Sequence, residues 1–293
     1  MSSEQRSDTW DIVSGAGVTA LAVAAGRANE SARPDALMTD PYAADFLTAA
    51  SPDLPVPITP DGAEGTISDE LWTAISRYLG VRSRVFDDFL TDAAREGVRQ
   101  FVILASGLDT RPFRLTWPAG TRCFELDQPR VLDFKLGVLR ERGAEAACDH
   151  TPVPMDLRED WATALIDAGF DTTRPTGWLA EGLLPYLPSE AEEELFRQID
   201  RLSAPGSRIA AECAAVAPLA GDEEIRESGT ALGIDLPTLL PDGERRGLRE
   251  QLTSLGWRYE SRTAQESAQT LGRVLPPDPR VTENVSHAFA QRP

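Results

Sequence analysis

The segment Gln100-Phe-Val-Ile-Leu-Ala-Ser-Gly-Leu-Asp-Thr-Arg111 decides how the rest of the chain is read. Its first part, QFVILAS, is a short and nearly continuous apolar run closed by Gly107, the pattern of a strand buried on both faces. Similar runs follow at 121–126 (TRCFEL), 151–155 (TPVPM), 176–181 (TGWLAE) and 207–213 (SRIAAEC). Helical periodicity lies between them at 130–142, 161–168 and 189–202. Strands alternating with helices at this interval predict a parallel α/β sheet with right-handed crossovers. GWRYES offers a final strand, after helices at 215–253 broken at Pro237 and Pro241.

Upstream, 17–30 reads as an Ala-rich helix, DPYAADFL (40–47) as a turn-rich patch, and 69–96 as a long amphipathic helix. Residues 51–66 hold four prolines and admit no regular element. With only a short helical segment before it, this stretch reads as a mobile loop or lid rather than an interdomain linker. The expected organisation is an N-terminal helical cap and Pro-rich loop over 1–98. An α/β ligand-binding core over 99–293 follows, with a lid insertion at about 215–250, and the whole packs as one globular unit.

Acidic residues outnumber basic ones 47 to 29, a net charge of −18. Such a surface repels nucleic-acid backbones and anionic lipid, so neither is an expected partner. Three cysteines and two histidines, widely spaced, offer no metal-ligand spacing, and no metal is expected. The N-terminus lacks a signal-peptide pattern, and no apolar run approaches a membrane span. These features predict a cytoplasmic protein with reduced thiols.

In open parallel sheets, ligands gather outside the carboxyl ends of the strands. Gly107 ends the first strand and permits a close backbone approach. The dinucleotide pattern GxGxxG and the phosphate-cradling GxxxxGK[ST] are both absent, which disfavours a nicotinamide-dependent oxidoreductase and favours a ligand without phosphates. The second strand ends in Glu125-Leu-Asp127. Both acids fall on one face, and either could hold the hydroxyls of a ribose about twenty residues past the glycine. The third strand ends in Asp156-Leu157, suited to an exocyclic amine and the face of adenine. The fourth ends in Glu181. Four strand tips carrying Gly, Asp, Asp and Glu point at one crevice.

The strings RSRVFDDFL, RQFVILASGLDTRPFRL, FELDQP, VPMDLREDW and WLAEGLLPYL, in that order, resemble the actinobacterial branch of the leucine carboxyl methyltransferase family. WDIVSGAGVTALAVAAGRANE and LMTDPYAADFL extend the resemblance over roughly residues 8–213. It implies a Rossmann-like class I methyltransferase fold, with a mostly parallel seven-stranded sheet and helices on both faces. It also implies S-adenosyl-L-methionine as cofactor, S-adenosyl-L-homocysteine as product, and no metal. Carried over by residue, Gly107 lines the methionine part, Asp127 binds the ribose, Asp156 and Leu157 hold the adenine, and Glu181 lies near the amino group and sulfonium. Arg27 and Arg84 are candidates for the cofactor carboxylate, with Arg82 competing. Ala105 departs from the family, which usually carries glycine there.

The expected reaction is O-methylation of a carboxylate on a small secondary metabolite or peptide. An ionised carboxylate needs no general base, in keeping with the scarcity of histidine, and no catalytic residue is assigned. The alternatives are methylation of a phenolic hydroxyl, and a cofactor-binding protein without turnover.

Overall fold

In a computed structural model, residues 16–50, 68–215, 221–231, 235, 239–241 and 245–293 are described. The Pro-rich stretch at 51–66 and Pro237 therefore lie outside the described residues, as does part of the expected lid insertion. Three helices lead in, α1 (Ala16–Ser31), α2 (Ala43–Ala50) and α3 (Asp69–Arg95). The alternating core follows: β1 (Gln100–Leu104), α4 (Arg111–Arg114), β2 (Arg122–Asp127), α5 (Pro129–Glu141), β3 (Asp149–Pro154), α6 (Trp161–Asp167), β4 (Thr176–Ala180), α7 (Ser189–Leu202) and β5 (Arg208–Ala214). The last strands are β6 (Arg258–Thr263) and β7 (Val285–Gln291).

The sheet has seven strands in the order β3-β2-β1-β4-β5-β7-β6. β1 pairs in parallel with both β2 and β4, whereas β7 runs antiparallel between β5 and β6. The chain turns outward in opposite directions from β1 and β4, so a crevice opens at the carboxyl ends of these two strands. Every residue of β1 and β4 is buried. On one face Val102, Leu104, Phe124 and Trp178 pack under α6 and α7, with Trp161, Phe196 and Ile199. On the other, Phe101, Ile103, Cys123 and Leu179 meet Phe86 and Leu90 of α3. Burial on both faces explains why the strand sequences run apolar without alternation. Trp178 is fully buried, and its truncation to alanine would cost about 3–5 kcal/mol.

The lead-in helices are held by close packing and a cap. A Cβ on Gly26 of α1 would fall 2.2 Å from Leu79 Cδ1 of α3, so glycine lets these helices approach. Ser68 caps α3, its hydroxyl accepting the Leu71 N–H at 3.3 Å. The patch read as turn-rich contains a helix, α2, because burial of Ala43, Phe46 and Leu47 outweighs its short length. β7 had no counterpart in the sequence reading. It is interrupted by polar residues and gains its strand form from pairing on both sides. No described helix is long and apolar enough to cross a membrane.

Candidate active site

The glycine loop leaves β1 through a tight reversal. Ala105 has φ +46° and Gly107 φ +49°, both left-handed. Glycine adopts this conformation freely; alanine does so against its Cβ, at about 1–2 kcal/mol. The carbonyl of Leu126 accepts the Ser106 N–H at 3.0 Å, continuing the β1–β2 ladder into the loop. Asp127 then closes the turn, with Oδ2 accepting the Gly107 N–H at 2.6 Å and Oδ1 accepting the Gln128 N–H at 2.7 Å. Burial pushes the Asp127 pKa up, against the opposing pull of those two N–H groups. Glu125 does not share this place. Its carboxylate is fully buried beneath α5, paired with Lys135 at 2.9 Å and His150 at 2.6 Å.

Gly107 and Asp127 open into a cavity of about 430 Å³, also lined by Arg27, Arg82, Asp156, Leu157, Glu181 and Tyr186. Of the residues expected at one crevice, Arg27, Gly107, Asp127, Asp156, Leu157 and Glu181 are therefore brought together, and Arg84 is not. Arg84 faces outward from α3, half exposed, donating to Asp88 at 2.8 Å and to the Leu37 carbonyl at 3.1 Å. Arg82, two residues earlier, is buried at the cavity. Arg27 follows Thr19, Ala20 and Val23 in the stripe by which α1 lines the cavity. Its guanidinium holds Asp40 at 2.9 Å and the Leu108 carbonyl at 2.7 Å, tying α1 to the glycine loop.

Glu181 sits at the tip of β4 between two guanidiniums, Arg82 Nε at 2.8 Å and Arg111 Nη1 at 2.6 Å. Burial alone would raise its pKa, but Arg111 and Arg82 outweigh burial and hold it below the usual carboxylate range. The pairing extends through the wall: Arg111 also meets Asp87 and Asp109, Arg114 meets Asp87, and Arg82 meets Glu212. In this cluster the three arginines face four carboxylates, Asp87, Asp109, Glu181 and Glu212. Glu212 in turn accepts the Gly182 N–H at 2.8 Å and the hydroxyl of Tyr78. Sequence reasoning missed Asp87, Asp109, Arg111, Arg114 and Glu212. The first four stand inside the strings RSRVFDDFL and GLDTRPFRL, whose density of acids and arginines was the available signal.

Asp156 is held on Arg158, which keeps its pKa below the usual range, and Gln128 Nε2 approaches it at 3.4 Å. Tyr186 follows Glu181 in a single 3₁₀ turn, Leu184–Tyr186, and its hydroxyl bonds to Thr19 of α1. Burial raises its pKa, so the phenol stays neutral at physiological pH. Neither histidine lines the cavity among its described residues.

The strand order, with β7 antiparallel between β5 and β6, is that of the class I S-adenosyl-L-methionine-dependent methyltransferase fold. The sequence model of the leucine carboxyl methyltransferase family matches residues 20–200, and the chain belongs to that family. A protein of Saccharopolyspora erythraea, named as a candidate S-adenosyl-L-methionine-dependent methyltransferase, is 51% identical over 253 residues, 86% of each chain. One from Mycolicibacterium gilvum with the same name is 48% identical over 273 residues, 89% of each chain. The crystal structure of a candidate methyltransferase from Thermobifida fusca shares the fold at TM-score 0.56 and 16% identity, over 99% of both chains. The enzyme is thus a methyltransferase dependent on S-adenosyl-L-methionine.

The residues present fit that cofactor. A Cβ placed on Gly107 would lie in ordinary contact with Ala20 Cβ of α1, at 3.7 Å, and with the backbone oxygen of Ala105, at 4.0 Å, so the bare glycine leaves the cavity wall at backbone level. A buried acid stands at the β2 tip beside it, and the volume lies in the usual range for a small-molecule site.

Proposed function

We propose that this enzyme methylates an oxygen of a small acceptor, foremost a carboxylate on a secondary metabolite or peptide, in the cytoplasm. The observation that carries the reading is the placement of buried Asp127 and partly buried Glu181 in one cavity with Gly107. When bound, S-adenosyl-L-methionine supplies a methyl group on a positively charged sulfur. Asp127 accepts from the ribose hydroxyls, and Asp156 with Leu157 takes the exocyclic amine and face of adenine. Gly107 passes the methionine portion, and Glu181 faces the amino group and sulfonium with a fixed negative charge. Arg82, with Arg27, takes the carboxylate role shared in the sequence reading with Arg84, because Arg84 lies outside the cavity.

The α1 stripe with Val23 and the apolar Leu187 and Leu239 form the remaining wall, suited to an apolar acceptor body. An ionised carboxylate needs no proton removed, which suits a cavity whose described lining holds no histidine. The protein contribution is then alignment and exclusion of water. Incubation with methyl-labelled S-adenosyl-L-methionine and small-molecule extracts tests the reading. Label released by mild base marks a methyl ester and supports it. Base-stable label marks an ether or amine and overturns the carboxylate assignment, and cofactor binding without any labelled product leaves a binding protein.

A further inference from the structure

Directly beneath the glycine loop the fold buries a lysine that the proposed chemistry does not use. Lys135 of α5 has no exposed surface, yet its ammonium lies within 3.0 Å of Ser106 Oγ and 2.9 Å of Glu125 Oε1. Glu125 is equally buried, and its second oxygen is taken by His150 Nε2 at 2.6 Å. The Phe113 and His150 rings meet in a T-shaped contact, with centroids 5.1 Å apart. The carboxylate is thus engaged on both oxygens and holds the ammonium in one place. A buried ion pair of this kind is weak evidence for stability but well suited to fixing a geometry.

What it fixes is the residue between two left-handed positions. Ser106 stands between Ala105 at φ +46° and Gly107 at φ +49°. Its amide donates to Leu126, its carbonyl accepts the Asp109 N–H at 2.8 Å, and its hydroxyl accepts from Lys135. Alanine resists the conformation at 105 where glycine would not, so this loop depends on an external hold more than one with glycine there. The next amide, Gly107 N–H, is the one aimed at Asp127.

We propose that Lys135, fixed by Glu125 and His150, is a positioning residue that holds Ser106 and so keeps the Ala105–Gly107 turn in the form that binds cofactor. The proposal rests on reading the cavity as the S-adenosyl-L-methionine site. If the strut is released, the strained alanine relaxes and cofactor binding must rebuild the turn. Glycine at 105 lowers the cost of rebuilding.

The test uses the full chain, with S-adenosyl-L-homocysteine as probe in calorimetry and thermal melting alongside. Ser106→Ala frees the loop without touching the ion pair, and the charge-balanced Lys135→Met/Glu125→Gln variant removes the strut without leaving one charge buried alone. Each is expected to raise Kd about tenfold, and their combination to stay near tenfold because both cut one linkage. Ala105→Gly added to Ser106→Ala is expected to recover at least about threefold of the loss. Its gain in melting temperature should appear in the wild-type background and vanish with Ser106→Ala, where the strain has already relaxed. Wild-type affinity in folded Ser106→Ala overturns the proposal, as does a combined loss near a hundredfold or no recovery by Ala105→Gly. If the charge-balanced variant does not fold, the Ser106 and Ala105 arms decide alone. If the wild-type protein does not bind the probe, the cavity reading falls, and the melting-temperature arm still decides whether the strut holds the turn.

Discussion

Replacing Asp127 by asparagine separates a ligand role from a structural one, because the two respond in different directions. The carboxylate is buried and accepts two backbone N–H groups, from Gly107 at 2.6 Å and Gln128 at 2.7 Å. A ribose hydroxyl donating to an ionised carboxylate contributes about 1.5–3 kcal/mol, so two contribute about 3–6 kcal/mol. Losing them weakens binding about 10²- to 10⁴-fold. The stability side is smaller. Asparagine keeps one carbonyl acceptor and leaves one N–H short, at about 1–3 kcal/mol. Against that, burial raises the Asp127 pKa in the fold. An acid raised in the folded state binds more protons there than when unfolded, so its charge costs stability at neutral pH. The neutral amide removes that cost. Calorimetry with S-adenosyl-L-homocysteine should therefore show a loss of at least about a hundredfold while the melting temperature moves by only a few degrees. Unchanged affinity, or a collapse in stability with normal affinity in the folded fraction, would refute the ribose assignment and leave Asp127 as a brace for the loop.

Other residues give independent expectations. Ala105→Gly relieves about 1–2 kcal/mol of left-handed strain and loses about 0.4–1 kcal/mol to unfolded-chain entropy, for a net gain of up to about 1.6 kcal/mol in denaturant melts. His287 is buried, with its Nδ1 2.8 Å from Ser267 Oγ and Tyr78, Glu212, Arg82 and Glu181 nearby, and burial pushes its pKa down to about 4. The unfolded chain binds this proton first, so stability holds above about pH 6.5, falls by about 3 kcal/mol toward pH 4, and flattens below. His287→Asn should remove that slope in pH-dependent melts. Glu181→Gln leaves Arg82 on Glu212 and Arg111 on Asp87 and Asp109, so the protein should fold. It should weaken S-adenosyl-L-methionine about tenfold or more relative to S-adenosyl-L-homocysteine, since only the former carries a positive sulfur. Equal loss for both ligands in paired titrations would deny Glu181 a role toward the sulfonium.

The parts of the fold legible in the sequence were those whose signal is local. β1 and β4 announce themselves because strands buried on both faces must be continuously apolar, and Gly107 marks where β1 ends. β7 and α2 were hidden because their form comes from neighbours: two flanking strands in one case, burial of Phe46 and Leu47 in the other. The choice between Arg82 and Arg84 was readable and was not used. Tyr78, Arg82 and Phe86 recur every fourth residue on the buried face of α3, which places Arg84 on the opposite side. The choice between Glu125 and Asp127 was not readable. Strand alternation gives both the same face, and only α5, by laying Lys135 over Glu125, withdraws that acid from the cavity. The arginine–carboxylate cluster joins α3, α4, β4 and β5, so its composition was visible in the motifs but its pairing was not.

The claim on which the functional account stands is that the tips of β1, β2 and β4 hold the methyl donor. A crystal structure with S-adenosyl-L-homocysteine tests it most directly. The account predicts the ribose on Asp127, the adenine against Leu157, and the sulfur on the Glu181 side of Gly107. Ligand bound elsewhere, with this cavity closed to it in crystals that are saturated, would contradict the account.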